Sequence, residues 1–223
     1  MTRQKIDVAV DSVVFSILDE ELSVLLIKRR FPPFKGQYAI PGGFVLENED
    51  LEQAAKRELQ EETGVKDIFL QQVGAYGDVK RDPRGRIISI VYLALINSER
   101  DIEASTDAAD VRWFSVYSLP KLAFDHSRII LDSLKQLRYE IQTTNIAFQI
   151  LPEYFTLSEM QNLYEKVLDK ELDKRNFRKR IKELGIVKST SMKRMEGAHR
   201  PAMLYEFREK TYQPVKDKVH VKL

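Results

Sequence analysis

The 223-residue chain contains no cysteine, which excludes disulfides, thiolate-bound zinc, iron–sulfur clusters and a cysteine nucleophile. Histidine is scarce as well. His126, His199 and His220 are scattered without metal-ligand spacing, so no histidine-built transition-metal site is expected. Any metal would have to be held by oxygen, which is the chemistry of magnesium or manganese. Long apolar runs are also missing: the longest, Ile87 to Ile96, is interrupted by Ser89 and is too short to cross a bilayer. Asp7 and Asp11 break the apolar segment that a signal peptide would need. The expectation is a soluble, cytoplasmic protein with no membrane partner. What is present is globular material, 43% hydrophobic and 9% aromatic, enough to bury a core without covalent staples.

Net charge is only +2, but it is unevenly placed. Residues 1–150 carry 19 Lys and Arg against 23 Asp and Glu, a balance of −4; residues 151–223 carry 17 against 11, a balance of +6. Such asymmetry hints at a nucleic-acid-facing segment in the second part. The texture also changes near Pro152, and the chain divides by pattern into residues 1–148 and 149–223.

The first part reads as strands around a helix. Val8 to Leu18 and Leu22 to Lys28 are β-rich and flank a polar turn, a hairpin pattern. Pro32-Pro33 and Gly36 mark a loop, and Pro41-Gly42-Gly43 is strong turn chemistry. A helix is predicted from Leu51 to Thr63, stopped by Gly64. Strands follow at Ile68 to Tyr76, Ile87 to Ile96 and Val111 to Phe114, then a helix from His126 to Ile141. This order indicates a mixed α/β sandwich.

The predicted helix carries an unusual charge pattern. At about 100° per residue, Leu51, Ala55 and Leu59 form its buried stripe, with Glu58 and Glu62 at the margin and Glu61 one step further round. A solvated helix laced by the Arg57–Glu61 pair explains charges on an outer face. It does not explain glutamates beside the core stripe, where like charges repel unless a cation neutralises them. The geometry alone leaves a metal site and a structural cluster both open.

The spacing adds more. Gly43, Glu49, Arg57, Glu58, Leu59, Glu61, Glu62, Gly64 and Val65 fill every specified position of G-x5-E-x7-R-E-U-x-E-E-x-G-U, with U a bulky aliphatic residue. This segment resembles the Nudix box. The resemblance implies an α/β/α sandwich fold and cleavage of a phosphoanhydride in a nucleoside diphosphate derivative, using Mg2+ or Mn2+. It implies Glu58 and Glu62 as the main metal ligands, Glu61 as a further ligand or the group orienting water, and the Gly42 carbonyl as another ligand. Arg57 would fix the glutamates and Glu49 would brace the loop. Arg29, Arg30, Arg84 and Arg86 are candidates for binding the pyrophosphate, and Asp107 or Asp110 for an additional catalytic acid. The segment RDPRGR (81–86) is similar to the corresponding loop of ADP-ribose-type Nudix proteins.

The second part has its own logic. Thr156-Leu157-Ser158-Glu159 is a capping box, and Met160, Leu163, Tyr164, Val167 and Leu168 form a helical apolar stripe behind it. A second helix runs from Asp173 to Gly185 with Phe177, Ile181 and Leu184 inward. Short strands at Ile186 to Ser189 and Ala202 to Phe207 complete a winged helix-turn-helix order. Residues 170–200 hold 11 Lys and Arg against 4 Asp and Glu. Arg175, Asn176, Arg178, Lys179 and Lys182 are left facing outward, the residue types that read base edges and phosphates of double-stranded DNA. Lys193, Arg194 and Arg200 of the wing would track the backbone or minor groove. Charged helices are often only solvated, and winged helices also serve protein contacts.

A Nudix domain followed by a winged helix resembles the Nudix-related transcriptional regulators of the NrtR and AraR types. The resemblance implies a homodimer on a palindromic site and an ADP-ribose-like or sugar effector. Three functions stay open: a hydrolase that also regulates transcription of NAD or sugar metabolism, a non-catalytic ligand-sensing repressor, and a hydrolase with a non-DNA-binding accessory domain. Regulators of this kind often have an eroded box, whereas this box is intact, which favours the first and third over the second. The basic face of the second helix favours the first and second over the third, so the first is the expected function.

Overall fold

The computed structural model describes residues 5–66, 68–97, 108–195 and 201–215. Packing divides the chain into two units, Met1–Lys135 and Gln136–Leu223. The change of sequence texture places the boundary at 148/149, whereas packing places it inside a long helix, α2 (His126–Thr143).

In the first unit, β1 (Asp7–Leu18) is buried without a break from Val10 to Ser16, as a strand covered on both faces must be. It turns through Asp19 and Glu20, both at positive φ as a two-residue hairpin turn demands, into β2 (Glu21–Arg29). After β3 (Tyr38–Ala39) and β4 (Gly42–Phe44) comes α1 (Leu51–Thr63), then β5 (Gln71–Tyr76), β6 (Ile87–Leu95) and β7 (Ala108–Ser115). The sheet runs β3-β2-β1-β6-β5, with β4 paired to β1 and β7 to β2. β1 and β6 are parallel while the other pairings are antiparallel, so the sheet is mixed.

Helix α1 is opened by a capping box between Asp50 and Gln53 and closed by Gly64 in the left-handed region. Ala54, Ala55 and Leu59 pack on Val10, Val14, Leu25 and Tyr92 of the sheet. Leu51 departs from expectation: it is 36% exposed, and Ala54 replaces it in the buried stripe. Ile68 and Leu70 join the core from irregular backbone, so the strand expected from Ile68 begins only at Gln71.

The second unit holds a 3-10 turn (Ile146–Gln149), α3 (Leu157–Leu168), α4 (Lys174–Leu184) and the hairpin β8 (Val187–Arg194) and β9 (Ala202–Phe207). Two aromatic pairs lie in its core: Tyr164 meets Phe177 edge-on at 5.3 Å, and Phe155 lies 4.9 Å from Phe207. Strand β8 extends to Arg194, well beyond the expected Ser189. The side chain of Asn145 clasps the last described residues through the carbonyls of Glu209 and Thr211 and the N–H of Gln213.

Candidate active site and basic face

Two glycines bring the loop before α1 against its carboxylates. A Cβ on Gly43 would lie 2.3 Å from Glu58 Oε1, and one on Gly42 would lie 2.2 Å from the Val10 carbonyl. Only glycine permits both approaches. The Gly42 N–H donates to Glu62 Oε2 at 2.8 Å. Arg57 organises the rest: it grips Glu49 with two hydrogen bonds of 2.8 and 2.7 Å and reaches Glu58 at 2.8 Å, Glu61 at 3.1 Å and the Phe44 carbonyl at 3.1 Å. Glu49 in turn accepts from the Leu46 N–H, which closes the loop.

The electrostatics divide these carboxylates. The Arg57 hydrogen bond holds Glu49 down to about 2. Glu62 is pushed up to about 8 by burial, with repulsion from Glu58 and Asp11 added and the Gly42 N–H opposing. Burial also raises Glu58. Burial therefore disfavours the charged forms of both Glu58 and Glu62. Among the described residues no three Asp, Glu or His side chains converge on a metal position, and Glu61 is drawn toward Arg57. The donor set is nonetheless hard oxygen throughout, which suits a small divalent cation.

Beside these glycines lies a small cleft of about 70 Å³ lined by Asp11, Arg29, Gly42, Gly43, Phe44, Arg81, Arg84, Phe124 and His126, among others. Arg84 stands over Phe44 at 4.9 Å and over Phe124 at 5.5 Å, while Arg29 covers Phe124 at 4.9 Å. Asp82 holds Arg84 at 2.7 and 3.0 Å. Burial, then the neighbouring Arg84, lowers the Arg29 pKa. Phe124 has φ 51, a left-handed conformation that is costly for a bulky residue.

Of the four arginines expected at a pyrophosphate, Arg29 and Arg84 line this cleft. Arg30 is exposed just past the end of β2, and Arg86 donates to the Gly77 carbonyl. Neither is among the cleft's lining residues. Asp110 is engaged by Arg112 at 2.6 Å and by the Tyr38 hydroxyl at 3.3 Å, and Asp107 lies outside the described residues. Sequence reasoning missed Asp11, Phe44, Arg81, Phe124, Asp125 and His126. Asp11 carried a signal, since a carboxylate inside a mostly apolar strand needs partners: it accepts from Ser89 and lies 3.7 Å from Arg81. Arg81 is itself clamped by Asp125 at 2.9 and 3.2 Å.

In the second unit, Asp173 caps α4 by accepting from the Asn176 N–H at 2.8 Å. Phe177 and Ile181 are buried, while Arg175, Asn176, Lys179 and Lys182 are exposed. Arg178 differs from the outward placement expected of it. It is half-buried and donates to Ser158 Oγ at 3.2 Å, because its position borders the side of α4 that faces α3. In the wing, Lys193 is exposed and Arg194 lies 2.5 Å from Glu159. Arg200 is outside the described residues.

The NUDIX domain pattern matches residues 8–133, and the NrtR DNA-binding winged helix domain pattern matches residues 147–207. An "ADPR responsive transcriptional repressor NtrR" from Acinetobacter baylyi is 36% identical over 207 residues, covering 91% of this chain and 82% of that protein. An ADP-ribose pyrophosphatase from Methanocaldococcus jannaschii is 44% identical over 129 residues, 57% of this chain and 73% of that protein. Shewanella oneidensis NrtR, solved with a 27mer DNA, superposes with a TM-score of 0.78 at 33% identity, covering 90% of this chain and 93% of that one. Its NUDIX domain has also been solved with ADP ribose; that structure covers 60% of this chain and 90% of its own, at 35% identity and a TM-score of 0.56. With a complete Nudix box in one unit and a capped, basic helix-turn-helix with wing in the other, the chain belongs to the NrtR family of Nudix proteins.

Proposed function

We propose that the protein is an ADP-ribose-responsive DNA-binding regulator that retains a metal-dependent Nudix pyrophosphohydrolase. The observation that carries this reading is the complete box, with Glu58 and Glu62 set on Gly43 and Gly42 at the edge of an arginine-lined cleft. Glu58, Glu62, Glu61 and the Gly42 carbonyl would hold Mg2+ or Mn2+. Such an ion, when bound, neutralises pyrophosphate charge and acidifies a water. The chain's own residues supply the rest. Arg57 keeps Glu58 and Glu61 on one side of α1. Arg29 and Arg84, held over the Phe44 and Phe124 rings, present cations to the phosphates.

The regulator half rests on α4, whose exposed Arg175, Asn176, Lys179 and Lys182 suit the major groove of double-stranded DNA. The relatives solved with DNA and with ADP ribose support these partners. A homodimer would present two copies of α4 to a palindromic site, and its mass in sedimentation equilibrium tests that. The decisive experiment is hydrolysis of ADP-ribose with Mg2+ or Mn2+, read as AMP and ribose 5-phosphate release, in the parent and in Glu62→Gln. Turnover that vanishes in the variant supports the enzyme. No turnover from a folded parent that still binds ADP-ribose would establish the second reading, a pure sensor. The draw of Glu61 toward Arg57 and the name of the Acinetobacter relative favour that alternative.

A further inference from the structure

Both N–H groups of Ile40-Pro41-Gly42 and the Pro41 carbonyl have partners from distant segments. Pro41 has no N–H, and its carbonyl accepts from the Ser12 N–H at 2.8 Å. The Gly42 N–H goes to Glu62. The Ile40 N–H goes to a side chain far along the sequence, His126 Nδ1, at 2.9 Å. His126 is the first residue of α2 and is 3% exposed. To accept at Nδ1 the imidazole must be neutral with its proton on Nε2. Nε2 faces Asp11 Oδ1 at 3.8 Å, and Asp11 is the β1 residue paired with Gly42. The main chain leading into the box is thus placed from two sides, by a histidine of α2 and a glutamate of α1. Buried backbone donors demand such partners.

We propose that His126 is a positioning residue for the oxygen-ligand loop: by accepting the Ile40 N–H it fixes Ile40–Gly42 against Glu62, and so sets the Gly42 carbonyl relative to the Glu58 and Glu62 carboxylates. The inference rests on the metal-site reading above. It assigns to His126 no contact with substrate; its effect passes through the loop. Residues that orient ligands without touching the metal usually change metal affinity by about 10- to 100-fold when replaced.

Three variants of the full chain separate positioning from packing. Asparagine puts an amide oxygen where Nδ1 was, glutamine puts its polar end near Nε2, and leucine offers no acceptor. The probe is Mn2+ alone, titrated into nucleotide-free protein and followed by electron paramagnetic resonance of the free ion. His126→Asn is expected to stay within about twofold of the parent, while His126→Gln and His126→Leu weaken Mn2+ about tenfold or more. A folded His126→Gln with parental Mn2+ affinity overturns the proposal and leaves the metal site standing. A parent that binds no Mn2+ removes the metal site itself and this role with it. Should the glutamine and leucine variants fail to fold, the parent decides by long-range 1H–15N correlation of the imidazole. Nδ1 free of a proton, before and after Mg2+, is expected, and a proton on Nδ1 sinks the assignment.

Discussion

Gly42 and Gly43 are adjacent, yet adding a methyl group to each meets different obstacles. At Gly43 the obstacle is the far end of a flexible side chain, Glu58 Oε1 at 2.3 Å. Gly43→Ala should therefore fold with a melting temperature within a few degrees of the parent, while Mn2+ affinity falls about tenfold as Glu58 is pushed aside. At Gly42 the obstacle is the Val10 carbonyl in the buried middle of β1. Gly42→Ala should cost about 1–3 kcal/mol of stability in urea unfolding, because backbone must move. Unchanged stability there would show that β4 can shift without disturbing β1. Both glycines and all the box glutamates were legible because their spacing along one short segment is the signal. The partners of His126 and Asp11 were not. His126 meets Ile40 across 86 residues and Asp11 meets Ser89 across 78, and no local pattern announces such pairs.

Among the elements, α3 shows how one side chain serves two structures. Glu159 closes the capping box by accepting from the Thr156 N–H at 2.6 Å and also holds Arg194 of the wing. Burial alone would raise its pKa, but the Thr156 and Arg194 hydrogen bonds outweigh burial and hold it below the usual carboxylate value. A depressed folded pKa means that the folded state binds fewer protons than the unfolded one near that pH. Glu159→Ala should cost about 1 kcal/mol at neutral pH. That difference should persist down to about pH 4.5, then shrink as pH falls through the lowered folded value, which paired thermal melts would record. A difference that grows with acid would put the sign of the shift in error. Helices were readable because their caps and 3.6-residue periodicity lie in sequence. The extent of β8 was not, since its burial follows no two-residue alternation. Leu51 misled for a related reason: a helix wheel gives angles, but the sheet decides where the stripe begins.

For the whole molecule, the charge imbalance between the two parts becomes a binding prediction. Arg175→Ala and Lys179→Ala should weaken binding to operator DNA without changing ADP-ribose hydrolysis. Removing one cation from a phosphate should flatten the salt dependence of log K by about 1. Filter binding at several salt concentrations measures this, and a slope indifferent to both substitutions would remove α4 from the DNA. Arg178→Ala tests something else, because Arg178 is tied to Ser158. Its loss should lower stability at least as much as affinity. The order of a strand-rich part followed by helix, helix and wing was legible from composition and capping alone. The cleft was not, because its floor is assembled from β1, from the loop before β6 and from the start of α2.

Helix α2 carries one more consequence. The stretch between the two matched domain patterns, 134–146, is largely regular structure: residues 134–143 belong to α2. Proteases bind their substrates as extended chain, so exposure of a side chain is not enough to make a peptide bond cleavable. Lys135 is exposed, but it sits within that helix and pairs with Asp132 at 3.0 Å. Brief digestion with trypsin should therefore spare Lys135 and Arg138 while nicking basic residues outside regular structure. The two domains would not be separated by a protease that commonly cuts interdomain linkers.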